Sequence, residues 1–452
     1  MFLKIVTAFS IIAFYTLTSI SSKLFPIEFR LPLPVMLFSA IFFFVWLLLI
    51  IFYTFYCVFY QGTVPEPGDV WPKPKSIETN STLLTLDRSL KFQSNFESCS
   101  VIKEALDRYH KLIFLDDNFK AAVNLNKLSI VTVTISDNKA NCKYPKFGES
   151  EAYQLKINEN GAVITSSTVW GALRGLETLS QVIYENDEYE LFVKYTEIND
   201  EPRFSYRGLL LDTARHYLPV KTILKNIDAM SYNKLNTFHW HVVDDQSFPL
   251  VMKLDPNISA MGAYTPNHIY TEEDVKNVIE YARNRGIRVV PEIDTPGHTH
   301  ALARHNPDLL TPCWKNNEEL VPDYPNNSER EILNPMKNET FEFMLKIFKE
   351  FQERFPDEYV HLGMDEVNYS CWESNPNITE FMKKNNMTEY SEVEQFYVKK
   401  TITNVKSINY KYMLWQDPVD NGVEVSFDNK KIIQQHLFYN ILYRMIKCCK
   451  FI

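Results

Sequence analysis

HLGMDEVN, residues 361–368, joins a short apolar run to two adjacent acids, Asp365 and Glu366. The apolar run, which begins at Tyr359, is typical of a buried strand. Consecutive side chains of a strand point to opposite faces of the sheet. Both acids can therefore serve one pocket only if the strand ends or twists there, as strands do at the carboxyl mouth of a parallel barrel.

Three earlier segments have the same form, an apolar β-type run closed by an acid or a histidine. They are RGLLLD (207–212), TFHWHVVDD (237–245) and IRVVPEID (287–294). Two later segments, KYMLWQD (411–417) and KIIQ (431–434), predict a fifth and a sixth strand of the same series.

Helical patterns lie between these strands. The clearest begins at Thr271, where Asp274 completes a capping box, and ends at Gly286. Residues 220–234 and 340–354 repeat the helical spacing of apolar residues.

Alternating strands and helices imply parallel strands, and polar residues at the strand ends favour a (β/α)8 TIM-type barrel over an open sheet. An open doubly wound sheet would carry a glycine-rich phosphate turn after its first strand. DTARH, residues 212–216, contains no glycine. The sequence therefore predicts an α/β barrel.

Four motifs resemble glycoside hydrolase family 20, the family of the lysosomal-type β-N-acetylhexosaminidases. They are RGLLLDTARHY (207–217), HWHVVDD (239–245), DTPGHT (294–299) and HLGMDE (361–366), in the order of that family. The resemblance runs from about residue 68 to about residue 434. Residues 153–183 resemble the small α+β domain that precedes the barrel in this family.

The resemblance implies roles for individual side chains. Glu366 is the expected general acid and base, and Asp365 is expected to orient the substrate's acetamido group. Arg215 is expected to grip sugar hydroxyls. Asp244 and His298 are expected to form a relay that tunes Glu366.

The implied activity is that of a retaining exo-β-N-acetylhexosaminidase, which removes terminal N-acetylglucosamine or N-acetylgalactosamine from glycoconjugates or chitooligosaccharides. Its nucleophile is the substrate's own acetamido oxygen. We expect no cofactor and no metal. Trp415 is a candidate for stacking on the sugar ring.

Other interpretations of the same residues remain open. An acid pair at a strand end is often solvated, and Arg215 could form a structural ion pair with Asp212. The chain could be a non-catalytic relative that binds sugar or pairs with another subunit. A metal-dependent barrel hydrolase is a further alternative; its ligands would come from His239, His241, His298, His300 and Asp365.

Cysteines and glycosylation sequons point to the secretory lumen, the lysosome or the cell surface. The resemblance implies two disulfides, Cys99–Cys142 and Cys313–Cys371. Sequons predict glycosylation at Asn80, Asn257, Asn326, Asn338, Asn377 and Asn386.

The N-terminal region predicts a membrane anchor. Residues 1–21 look like a signal peptide, and residues 35–60 form an uncharged run longer than the ~20 residues that span a bilayer. Lysines and an arginine precede this run and acids follow it, so we expect the enzyme domain in the lumen. A cleaved signal is the alternative.

The C-terminal stretch, residues 435–452, does not resemble the family. We therefore expect a barrel of about six strands, without the pocket walls that the last two strands contribute. The predicted division is an anchor region at 1–65, an α+β domain at 66–200, a truncated catalytic barrel at 201–434 and a divergent tail at 435–452.

Charge and composition limit the partners. The formal charge of −9 gives no basic surface for nucleic acid, so carbohydrate is the expected ligand. The resemblance also implies a homo- or heterodimer. Met364 stands where the family usually has glycine, and we expect its side chain to face the surrounding helices.

Overall fold

The computed structural model describes residues 66–425, apart from 117, 118, 120, 121, 124, 317 and 321–331, together with residues 47–48 and 433–434. Its contacts divide the chain into two compact units, with the boundary between Glu66 and Pro67. All the elements below belong to the second unit.

The first sheet of this unit is mixed. Its strands are β1 (Ser76–Thr85), β2 (Lys91–Ser94), β3 (Ile130–Ile135), β4 (Tyr153–Asn158), β5 (Gly161–Ser166), β6 (Tyr184–Glu185) and β7 (Leu191–Asp200). They are ordered β1-β7-β4-β5-β3-β2, and β6 pairs with β7. Buried and more exposed residues alternate along β3 and β4, which is the pattern of strands that cover a core with one face.

Two helices, α1 (Ser100–Ile113) and α2 (Val169–Val182), share one hydrophobic core with this sheet. The start of α2 is fixed by Thr168, whose side chain accepts a hydrogen bond from the backbone N–H of Gly171. The Cys99–Cys142 disulfide joins the residue before α1 to the loop after β3.

The second sheet holds the predicted series of strands. They are β8 (Gly208–Asp212), β9 (Thr237–Val243), β10 (Arg288–Thr295), β13 (Tyr359–Gly363), β14 (Lys411–Trp415) and β15 (Ile433–Gln434), each parallel to its neighbours. A separate short pair, β11 (Trp314–Lys315) and β12 (Glu318–Glu319), lies in the loop after β10. Every residue of β9, β10 and β13 is buried, as expected where both faces of a parallel sheet are covered.

Helices alternate with these strands or lie in their loops. They are α3 (Val220–Tyr232), α4 (Asn257–Gly262), α5 (Glu272–Arg283), α6 (His300–Ala303), α7 (Asn338–Arg354), α8 (Ser370–Ser374), α9 (Pro376–Lys384), α10 (Tyr390–Ser407) and α11 (Asp417–Asp420). Helix α5 starts with the predicted capping box of Thr271 and Asp274. The predicted parallel β/α architecture is confirmed.

Buried ion pairs tie the two sheets together. The carboxylate of Glu151 contacts Arg174 Nε at 2.7 Å and Arg207 Nη2 at 2.5 Å. Arg174 also donates to the backbone oxygen of Gly286, just before β10. The small sheet therefore supports the N-terminal ends of the parallel strands, opposite the mouth where the acids lie.

The predicted anchor and tail fall almost entirely on other residues. Among the helices that the structure describes, none is long and apolar enough to cross a membrane. The predicted span at 35–60 lies outside the described residues except for Leu47 and Leu48, and the predicted tail at 435–452 lies wholly outside them.

Candidate active site

A left-handed turn at the end of β13 sets the directions of the two adjacent acids. Gly363, Met364 and Glu366 have φ angles of 65°, 70° and 51°, values that L-residues seldom adopt in regular strands. The turn leaves Asp365 buried, while the Glu366 side chain is 58% exposed. The strand thus ends just before the two acids, as we expected if both are to face one pocket.

Asp294 at the end of β10 supports this turn. Its Oδ1 accepts the backbone N–H of Met364 at 2.9 Å. A Cβ on Gly363 would lie 1.9 Å from the same oxygen, so only glycine fits beside Asp294. The Met364 side chain is fully buried in the main hydrophobic core, in agreement with its predicted direction.

His298 connects the acid pair to the neighbouring strand. It lies in the turn after β10, at a φ of 56°. Its Nε2 is 3.6 Å from Glu366 Oε2, and its Nδ1 is 3.4 Å from Asp244 Oδ1. Suitable atoms of His298, Asp365 and Glu366 all lie within 4.8 Å of one another. The structure therefore brings together residues from three predicted strand ends.

The electrostatics favour a charged His298. Burial opposes the imidazolium, but the hydrogen bond and charge of Asp244, with the charge of Asp365, raise the pKa of His298 to about 9. Its Nδ1 also lies 3.3 Å from Arg215 Nη2, which cannot donate to a protonated nitrogen. We therefore assign the Nδ1–H of His298 to Asp244, and the N–H on Nε2 faces Glu366.

Arg215 bridges two carboxylates at the rim of the site. Its Nη1 donates to Asp212 Oδ2 at 2.9 Å, and its Nη2 lies 2.8 Å from Asp244 Oδ2. The ion pair with Asp212 that the sequence left open is thus present. The Arg215 side chain is still 36% exposed, so part of the guanidinium surface remains accessible to a ligand.

A second buried acid stands against Asp365. Asp294 is 1% exposed. Its burial, followed by the charges of Asp365 and Glu292, raises its pKa well above the ordinary aspartate value. A hydrogen bond links Asp294 and Asp365. Two carboxyl groups joined by a hydrogen bond share a proton, and the raised pKa of Asp294 indicates that Asp294 holds it.

Glu292 forms a floor beneath these residues. It is fully buried, and its carboxylate lies 2.6 Å from His239 Nε2, 3.1 Å from His241 Nδ1 and 3.3 Å from His361 Nδ1. Burial alone would favour the neutral acid. The charges of the surrounding histidines nevertheless hold the pKa of Glu292 well below the usual range.

Trp415 belongs to the same floor. Its indole N–H donates to Glu292 Oε1 at 2.8 Å, and its ring packs against the rings of His239 and His361. Only 5% of the residue is exposed. Contact with a sugar therefore depends on the small part of the ring that reaches the pocket, and this role stays a prediction.

The sequence interpretation gave no role to Asp294 or Glu292. The sequence contained a pattern that could have identified them. Glu292 and Asp294 are two residues apart on one strand, and His239 and His241 are two residues apart on a neighbouring strand, so the members of each pair lie on the same face of the sheet. The parallel register pairs Glu292 with His241 on one side and with His361 on the other. The two-residue spacing shows which side chains share a face, and the register shows which of them are neighbours, so the two together identify the group of buried residues around Glu292.

The alternative metal site is not assembled as predicted. Among the described residues, the clusters with metal-ligand spacing place His239 with Glu292 and His361, and His298 with neighbouring acids. None of these clusters contains both His239 and His298. The five proposed ligands therefore do not converge on one point.

The remaining predicted sites are distributed around the unit. Both predicted disulfides form, and Cys313–Cys371 ties the loop after β10 to the segment that follows the acid pair. Asn80, Asn257, Asn338, Asn377 and Asn386 are exposed, whereas Asn326 lies outside the described residues. Glycosylation at these positions stays a prediction.

Comparison with known proteins shows the family of this chain. The profile described as glycosyl hydrolase family 20, catalytic domain, matches residues 204–437, and one described as beta-acetyl hexosaminidase like matches residues 70–182. The chain is 41% identical to the human beta-hexosaminidase subunit beta, covering 80% of this chain and 66% of that protein. It is 42% identical to the rat beta-hexosaminidase subunit alpha, covering 79% and 69%.

Solved structures give the same result. A chitobiase from Flavobacterium johnsoniae superimposes with a TM-score of 0.66 at 29% identity, covering 79% of this chain and 53% of that one. An exo β-N-acetylglucosaminidase from Vibrio harveyi, in complex with N-acetylglucosamine, gives a TM-score of 0.67 at 25% identity, covering 83% and 58%. The chain thus spans about two thirds of these curated relatives and a little over half of these solved chains.

Proposed function

Because the chain belongs to glycosyl hydrolase family 20, we propose that it is a retaining exo-β-N-acetylhexosaminidase that works by substrate-assisted catalysis. The proposed substrates are terminal N-acetylglucosamine and N-acetylgalactosamine on glycoconjugates or chitooligosaccharides. The observation that carries this proposal is the turn after β13, which gathers Asp365, Glu366 and His298 within 4.8 Å.

In the first step, Glu366 donates a proton to the glycosidic oxygen as the bond from that oxygen to the anomeric carbon breaks. The carbonyl oxygen of the substrate's acetamido group attacks the same carbon, so that an oxazolinium-like ring forms. The exposure of the Glu366 side chain supports this role, since a leaving group that points to solvent can reach it. The N–H of His298 stabilises the carboxylate that remains.

Asp365 is suited to the other half of this step. It is buried beside Asp294, and the raised pKa of Asp294 places the shared proton on that neighbour. An anionic carboxylate accepts the acetamido N–H and stabilises the positive charge that develops on the ring. One acid at the surface and one in the interior thus match one proton donor and one fixed anion.

In the second step, water attacks the anomeric carbon and Glu366 takes the proton that the water loses. The two inversions give net retention of configuration. Arg215 is proposed to bind sugar hydroxyls, with Asp212 and Asp244 holding its guanidinium in place. Trp415 is proposed to contribute the inner edge of the pocket.

Assembly and location are also proposals. The human and rat relatives are named as subunits, and we propose that this chain forms a homo- or heterodimer. The two disulfides and the exposed sequons support the secretory lumen or the lysosome as its compartment.

The direct test is release of 4-methylumbelliferone from its β-N-acetylglucosaminide by the purified full chain. We expect Glu366→Gln to lower kcat by ~10²-fold or more. Glu373→Gln is the matched control, because Glu373 is an exposed acid on α8, close in sequence to the catalytic turn. Its kcat should equal that of the wild type.

Two further measurements distinguish the proposed hydrolase from the alternative functions. Turnover that persists in a chelator contradicts the metal-dependent hydrolase, and a β anomer as the first product supports retention. A folded wild-type chain without turnover on any β-N-acetylhexosaminide would overturn the proposed activity and favour the non-catalytic relative.

A further inference from the structure

His241 lies between the floor and the catalytic side chains, and no role has been given to it so far. It is the fifth residue of β9 and is 4% exposed. Its Nδ1 is 3.1 Å from Glu292 Oε2, and its Nε2 is 2.7 Å from Asp244 Oδ2. Both carboxylates are fully buried. The imidazole is therefore held between two acids that lie away from water.

This geometry favours a charged imidazole. A neutral histidine carries one N–H, and its other nitrogen would present a lone pair to a carboxylate. An imidazolium presents an N–H to each acid. Burial works against the charged form, but the charge of Glu292 and the hydrogen bond to Asp244 raise the pKa of His241 to about 10. By contrast, burial lowers the pKa of His239 to about 4, although it contacts the same Glu292.

Asp244 is the point where this charge reaches the catalytic residues. Its Oδ2 contacts His241 and Arg215, and its Oδ1 contacts His298 and accepts the backbone N–H of Asp245 at 2.6 Å. Burial would raise the pKa of Asp244. The hydrogen bonds from His241 and His298 hold it well below the ordinary value instead.

We propose that His241 is a positioning residue for the reaction: as an imidazolium held by Glu292, it fixes the Asp244 carboxylate and thereby the orientation and charge of His298 beside Glu366. This inference rests on the proposed function, because it places His241 in the same reaction. His241 does not touch the substrate. It acts through Asp244 alone.

The groups that surround His241 come from several elements of the barrel. The acids are Glu292 and Asp244, which contact His241 itself, and Asp294 and Asp245, which lie 3.9 Å from His298. The bases are His239 and His361, which contact Glu292, and His298 and Arg215, which contact Asp244. Within this described set, Asp244 is the carboxylate that contacts His241, His298 and Arg215 together. A change at His241 should therefore be transmitted to His298 through Asp244.

Two substitutions divide the contacts of His241. His241→Asn places an amide near Nδ1 and keeps a donor for Glu292, whereas His241→Gln places an amide near Nε2 and keeps a donor for Asp244. With one cation fewer beside it, Asp244 takes up a proton at higher pH, although Arg215 and His298 still contact it. In the Asn variant we expect the acid limb of the pH profile, which is the fall of kcat/KM at low pH, to move up by about one pH unit or more. We also expect kcat to be lowered by a larger factor than KM is raised. The Gln variant should show a smaller shift.

The matched control is His361→Asn. His361 is equally buried and also contacts Glu292, at 3.3 Å. This variant should lose stability through the same kind of buried change but keep the wild-type acid limb. An unshifted acid limb in folded His241→Asn would overturn the proposal, and so would an equal shift in His361→Asn.

Nitrogen NMR of the imidazoles tests the inference without relying on turnover. In the wild type, both nitrogens of His241 should be protonated at a pH of about 8; a neutral His241 at that pH would overturn the proposal even if no variant folds. The titration midpoint of His298 should rise in His241→Asn, because the positive charge of His241 no longer opposes protonation of His298, and should not move in His361→Asn. An unmoved midpoint counts against His241, whereas absent wild-type turnover counts only against the proposed function.

Discussion

Replacement of Gly363 by alanine tests the left-handed turn that carries the two acids. Gly363 has a φ of 65°, and an added Cβ would lie 1.9 Å from Asp294 Oδ1 and 2.7 Å from Asp294 Cα. The left-handed backbone costs an L-residue ~1–2 kcal/mol. The clash forces Asp294 away from the Met364 N–H, and a buried donor without its acceptor costs a further ~1–3 kcal/mol.

We therefore expect Gly363→Ala to lower the free energy of unfolding by roughly 2–5 kcal/mol, a large share of the stability of an ordinary protein. Urea unfolding measures this directly. Activity should fall as well, since Asp294 contacts Asp365. The matched control is Gly422→Ala, which has a φ of 85° but open space around the added Cβ. It should cost only the backbone term of ~1–2 kcal/mol.

A second control lies in the site itself. At Gly297 the nearest atom to an added Cβ is the backbone oxygen of Asp365, at 4.0 Å, and φ is not in the left-handed region. Gly297→Ala should therefore be close to neutral in stability. If Gly363→Ala lost no more stability than Gly422→Ala, the close packing of Asp294 against the turn would be wrong.

Three further changes have defined outcomes. Met364→Gly relieves a left-handed φ but removes a buried side chain. We therefore expect the free energy of unfolding in urea to fall by ~1–3 kcal/mol, with no large gain in kcat. A rise in kcat by orders of magnitude would contradict the outward direction of this side chain. Burial raises the pKa of Asp245 to about 6, so the folded protein loses stability through this acid as the pH rises from about 4 to 6. Asp245→Asn should therefore add ~2–3 kcal/mol to the free energy of unfolding at about pH 7 and nothing at about pH 4. Equal gains at both pH values would refute the raised pKa. Arg215→Lys cannot span Asp212 and Asp244 together, so kcat/KM should fall by ~10–100-fold, and an unchanged value would argue against the bridging grip.

Much of the barrel could be predicted locally. The strand that ends at Gly363 follows from its apolar run, and helix α5 follows from the capping box of Thr271 and Asp274. Such features depend on residues that are close together in sequence, so they can be predicted from the sequence alone. Motif resemblance added the members of the site, and the structure does bring Arg215, Asp244 and His298 to the acid pair.

The sequence by itself determined the parallel β/α architecture and the adjacent acids at a strand end, because the periodicity, the caps and the order of the motifs are properties of the chain alone. The disulfide pairs were implied by the family resemblance of those motifs. Only the tertiary structure decided what lies beneath the acids. Glu292 meets His241 and His361 through strand register, and it meets Trp415 across 123 residues of sequence. The charge state of each group depends on those distant partners, because burial and neighbouring charges, which set pKa values, exist only after the strands have assembled.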